Sequence, residues 1–105
     1  MVNEAVVFNA LGDSTRLTIV KRLSAGKYLT ITEVSSGLPL TRQGVRRHLQ
    51  VLADAELVRL QPEGRDVLVH LNPSTLEKAK QWIAKLEQQW DKRLTALKGF
   101  VEGDN

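Results

Sequence analysis

The sequence predicts a mainly α-helical domain with one small β-hairpin, an α+β fold. Three observations carry that reading. Apolar residues recur at helical spacing through the first half of the chain. After Glu56 two short runs rich in β-formers follow, divided by a loop holding Pro and Gly. A long helical period then returns from Ser74 to about Val101. The 105 residues, 42% of them hydrophobic, suit a single domain (1–105) with a modest core. The formal charge of +3 is compatible with a nucleic-acid partner but does not by itself select one. Cysteine is absent, which excludes disulfides, thiolate metal ligands and cysteine nucleophiles. No apolar run is long enough to span a membrane, and Met1 to Ala5 lack the basic start of a secretory signal. The expectation is a soluble, cytoplasmic protein without a membrane partner.

The first helix is expected from Asn3 to Leu11, with Val6, Val7, Ala10 and Leu11 on its apolar side. Gly12-Asp13-Ser14 breaks it, and Asp13 or Ser14 can cap a second helix running to about Ala25. Leu17, Ile19, Val20 and Leu23 give that helix its buried positions, and Gly26 suits the residue beyond its end. Tyr28-Leu29 reads as a brief extended piece. Thr30 and Glu33 form a capping-box pattern, opening a short helix through Ser36. Gly37 to Leu40 end it, since Pro39 cannot continue the hydrogen-bond ladder.

Thr41 then caps a helix with a divided surface. At about 100° per residue, Val45, Leu49 and Leu52 share one stripe while Gln43, Arg46, Arg47 and Gln50 lie opposite. No acid occurs between Thr41 and Ala53 to neutralise the three arginines. Gly44 inside this helix costs about 1 kcal/mol against Ala, which suggests close approach of another helix or of a phosphate backbone. Short helix, turn and basic helix make a helix-turn-helix at about 31–54, in which the second helix enters the major groove.

Leu57 to Gln61 and Val67 to Leu71 read as two strands joined by a loop at 62–66. A hairpin in this place, about 57–71, is the wing of a winged helix. Asn72 as cap and Pro73 at the first helical position start the last helix, about 74–101, interrupted late by Gly99. Its apolar residues include Leu76, Ala79, Ile83, Leu86, Trp90, Leu94 and Leu97 at alternating spacings of three and four. A helix of this length exceeds what one small body can cover. The surplus predicts a two-fold homodimer through the N- and C-terminal helices, with Val6, Val7, Ala10, Trp82, Leu86, Trp90, Leu94 and Leu97 at the interface.

These motifs together resemble the ArsR-type (ArsR/SmtB) bacterial winged-helix repressors. The resemblance rests on Phe8 to Leu17, Thr32-Glu33-Val34, Leu40 to Leu49, Val51-Leu52 with Ala55 to Val58, and Glu63-Gly64-Arg65. The tail with Trp82, Trp90, Arg93-Leu94 and Leu97 looks like the autorepressor branch that lacks metal sites. The resemblance implies a homodimeric repressor that binds an inverted-repeat operator near a promoter. The cysteines that metal-sensing members carry are replaced here by Ile31 to Ser36, and the last helix has no histidine.

On the residues themselves, Gln43, Arg46, Arg47 and Gln50 are candidates for base edges. Thr41 and Arg42 are better placed for phosphate oxygens, which fix register without carrying sequence information. His48 stands between a packed side chain and a phosphate contact. Arg65 at the wing tip can reach a phosphate or the minor groove. Arg16 is expected to be a structural ion-pair or dimer residue. Metal ligands, cofactors and catalytic residues are not expected: His48 and His70 lie on different elements, and no phosphate-binding loop or nucleophile elbow occurs. The expected function is a sequence-specific, DNA-binding transcriptional regulator whose partners are duplex DNA and a second copy. An inducer, small molecule or protein, is left open. The alternative is a winged-helix interaction module, or a small-ligand sensor, that does not itself read DNA.

Overall fold

The computed structural model describes residues 3–26 and 28–102, so the first two and last three residues of the expected domain lie outside it. Along the chain run α1 (Glu4–Leu11), α2 (Ser14–Leu23), β1 (Leu29–Thr30), α3 (Ile31–Ser35), α4 (Arg42–Asp54), β2 (Val58–Glu63), β3 (Asp66–Leu71) and α5 (Pro73–Glu102). The strands form one antiparallel sheet in the order β1-β3-β2.

Local chemistry sets most helix starts. The Asn3 side chain accepts from the Ala5 amide, and Asp13 Oδ2 accepts from the Arg16 amide at 3.0 Å. That amide hydrogen bond is the main cause holding the Asp13 carboxyl below its ordinary pKa, with the Arg16 charge and the Thr15 amide assisting against partial desolvation. The cap therefore contributes fully above the ordinary carboxylate range and fades as pH falls through the depressed value. Thr30 and Glu33 complete the reciprocal box.

Helices and sheet close over one core. Ile19, Leu23, Val34, Val45, Leu49, Leu52, Leu57 and Val69 are all 1% exposed or less. Val7 and Ala10 belong to this core, at 2% and 1% exposure. Both were expected at a subunit boundary. The short α1 instead turns them inward against its own subunit, and of the expected trio Val6 alone is open, at 47%.

The wing is tighter than expected. The strands extend until Glu63 pairs with Asp66, so Gly64-Arg65 alone makes the turn rather than 62–66. Gly64 has φ +59°, as the first central position of a two-residue hairpin of this kind requires. Pro62 sits within β2, an edge strand, where a missing N–H is tolerated.

Two residues after α4 turn the chain into the sheet. Glu56 adopts φ +59°, and its carbonyl accepts from the buried Thr75 hydroxyl at 2.6 Å. Because a side chain disfavours this conformation, Glu56→Gly is expected to raise stability by up to about 1 kcal/mol. The midpoint of urea unfolding checks it; a lower midpoint would show that the Glu56 side chain itself contributes.

Only the start of α5 packs on the body. Thr75 and Ala79 are its buried residues, and Phe8 meets Trp82 with ring centroids 5.4 Å apart. From Gln81 to Glu102 every residue is exposed. The helix passes through Gly99 unbroken, because intact neighbouring turns carry one glycine at a cost of about 1 kcal/mol. The described residues span 72 × 28 × 22 Å, the long axis reflecting this projecting helix. No helix among them is long and apolar enough to cross a membrane.

Candidate nucleic-acid interface

Helix α4 is anchored from behind and open in front. Val45, Leu49 and Leu52 are buried, while Thr41, Arg42, Gln43, Arg46, Arg47 and Gln50 are exposed. The Thr41 hydroxyl caps the helix by accepting from the Gly44 amide at 3.0 Å, and its own proton stays free to donate. A Cβ at Gly44 would lie 3.3 Å from that hydroxyl oxygen. The close neighbour at this glycine is its own cap, together with Leu40, and not another helix as expected.

The exposed side chains differ in how free they are. Gln43, Arg46 and Arg47 make no hydrogen bond or ion pair among the described residues. Arg42 donates to the Thr32 hydroxyl at 3.0 Å, which ties it to the start of α3. Gln50 donates its amide to Asp54 Oδ1 at 2.8 Å, one turn further along. A carboxylate therefore shares the C-terminal end of this face, and the free groups lie toward its N-terminal end. Thr41, Gln43, Gly44, Arg47 and His48 line an open groove there.

His48 is half-buried, with one ring nitrogen turned toward α2. Its Nδ1 lies 3.2 Å from an Arg16 guanidinium nitrogen, which can only donate. Asp13 Oδ2, at 3.9 Å from the same ring nitrogen, is beyond hydrogen-bond range. Arg16 is structural, though not through the expected ion pair. It donates to the Ala10 carbonyl at 2.6 Å and the Asn9 carbonyl at 3.4 Å, closing the end of α1. One guanidinium thereby joins α1, α2 and α4.

Arg22 is a residue that sequence reasoning missed. From the last turn of α2 it donates to the carbonyls of Val34 and Ser36, at 2.7 and 2.6 Å. These are end groups of α3 that would otherwise lack a partner. The six-residue turn from Ser36 to Thr41 is thus held at its start by a side chain from outside the motif. A basic residue late in α2 was the available signal.

Arg65 stands apart from α4, exposed at the two-residue turn of the wing and without a partner among the described residues. Among the same residues no group of three His, Cys, Asp or Glu side chains is placed to hold a metal ion.

Comparison with known proteins agrees with this geometry. A family model described as a helix-turn-helix domain matches residues 11–61. The chain is 35% identical over 100 residues to the HTH-type transcriptional regulator Rv2034 of Mycobacterium tuberculosis, covering 93% of this chain and 90% of the relative. It is 39% identical over 88 residues to the HTH-type transcriptional regulator YuzN of Bacillus subtilis, covering 77% and 96%. Among solved structures, an ArsR-like transcriptional regulator from Rhodococcus sp. RHA1 superposes with a TM-score of 0.81 at 30% identity, covering 94% of this chain and 92% of that one. With an exposed basic helix seated on a buried stripe, a hairpin wing and likeness along nearly its whole length, this chain belongs to the ArsR family of winged helix-turn-helix, DNA-binding transcriptional regulators, which are not enzymes.

Proposed function

We propose that the protein is a cytoplasmic homodimeric repressor that reads an inverted-repeat operator through paired α4 helices and works without a bound metal. The observation that carries this is the set of unpartnered Gln43, Arg46 and Arg47 on the N-terminal half of a helix whose opposite face is buried. Recognition helices present that half to base edges. Arg46 and Arg47 supply forks for guanine, and Gln43 an amide for adenine. Thr41, Arg42 and His48 serve phosphates, and Arg65 serves a phosphate or the minor groove. Gln50, engaged by Asp54, contributes least.

The unpartnered apolar face of α5 supports the dimer. Leu86, Trp90, Leu94 and Leu97 are 41%, 57%, 54% and 59% exposed, more apolar surface than a monomer ordinarily leaves in water. With Val6 and Trp82 they would form the two-fold interface. A dimer seated across a promoter represses by occupying it, as the family resemblance implies.

Selection from a random DNA pool tests the reading: a two-fold symmetric consensus, with half-sites about one helical turn apart, is expected. Arg46→Ala should cost about 1–3 kcal/mol of discrimination at one base pair of that consensus. Arg65→Ala should instead weaken binding to all sequences and reduce the salt slope by about one. Gel shifts at several salt concentrations separate the two. Unchanged preference in Arg46→Ala would refute the assignment of the reading face.

A further inference from the structure

A second feature lies within one subunit, at the foot of the wing and the start of α5. A cleft of about 670 Å³ opens there, within the range of small-molecule sites. Its wall is a row of three polar side chains across the sheet. Arg59 on β2 pairs in register with His70 on β3, so the two lie side by side on one face. On the other flank of β3, the Leu29↔Val69 register brings Tyr28 beside His70. The phenol and imidazole rings stack with centroids 4.3 Å apart and planes 8° from parallel. The floor is apolar, formed by the buried Leu23 and the half-buried Leu71 and Leu76.

Among the described residues, the polar heads of this row have no hydrogen-bond or ion-pair partner, and no acidic side chain lines the cleft. Arg59 is the one fixed charge on the described lining, which matches a monoanion better than a doubly charged phosphate. The flat aromatic wall and aliphatic floor match a flat apolar body. We infer that the cleft is a binding site for a small aromatic carboxylate, its carboxylate at Arg59 and its ring against the Tyr28–His70 stack and the leucine floor. The inference is independent of how α4 reads DNA.

Calorimetric titration of the full chain with 2-naphthoate tests it, with amide NMR shifts to place the ligand. The expected result is saturable binding of one equivalent per chain, with shifts centred on Arg59, His70 and Leu76. Arg59→Gln, at an exposed position that leaves the fold intact by circular dichroism, should weaken naphthoate about tenfold, the effect of losing one charge-assisted contact. Binding of the uncharged 2-naphthalenemethanol should not change between wild type and Arg59→Gln. Absence of saturation, naphthoate affinity indifferent to Arg59→Gln, acetate binding as tight as naphthoate, or shifts centred on Trp82 and Trp90 would each overturn the assignment.

Discussion

Leu52→Ala is expected to lower the free energy of unfolding by about 3 kcal/mol, in the roughly 2–5 kcal/mol range of buried leucine truncations. Leu52 is 0% exposed and sits in the last turns of α4, facing the core behind the basic surface. Truncation removes buried methyl groups and leaves a cavity that fixed neighbours on α4 and β2 cannot close. A domain of this kind has about 5–15 kcal/mol in total, so the loss takes a large share. Urea unfolding followed by circular dichroism measures it. Gln43→Ala, on the exposed side of the same helix, should stay within about 0.5 kcal/mol. Equal effects from the two substitutions would contradict the division of α4 into an anchored and an open face.

Glutamate at both Leu86 and Leu94 is expected to produce folded monomers whose operator affinity is lower by about two orders of magnitude. Both residues are largely exposed in the subunit, at 41% and 54%, so the isolated fold loses little. In the proposed dimer each substitution brings a carboxylate into an apolar seam, where burial of an unpaired charge is strongly unfavourable. Separating two linked reading heads forfeits the roughly 10²–10⁴-fold gain of binding both half-sites at once. Sedimentation velocity reports the association state, circular dichroism the fold, and gel shift the affinity. A double variant that remained dimeric would move the interface away from this face of α5.

Much of the architecture was legible because it depends on neighbours in sequence. Caps at Asp13, Thr30 and Thr41 act within three residues, and the apolar stripe of α4 follows from helix period alone; Asn3, read as helical, is instead the cap of α1. The hairpin was visible in its β-formers and in Gly64. Its turn length was not, because Pro62 reads as a breaker until the strand is known to lie at an edge. Val7 and Ala10 were assigned to the wrong surface for a similar reason. Periodicity tells which side of a helix is apolar, but not whether that side meets its own body or another copy.

The candidate reading face divides in the same way. Exposure of Gln43, Arg46 and Arg47 could be read from spacing. The diversion of Gln50 to Asp54 is an i,i+4 pair, so it too lies within one helical turn. The joining of Arg16 to His48 spans 32 positions, and the grip of Arg22 on Ser36 spans 14. A basic residue late in α2 marks Arg22 as a candidate, but no local pattern encodes the partner of either arginine.

What the chain alone determined is the kind of each element, its capping, and which residues of α4 face water, since these follow from periods of 3.6 and 2 and from hydrogen bonds within one turn. What the tertiary arrangement decided is which guanidiniums are free and which are engaged, and that Tyr28, His70 and Arg59 share one row. Such pairings depend on how the strands and helices close over a core. The free energy that closes it comes from apolar burial summed over the whole chain, a quantity no single stretch of sequence contains.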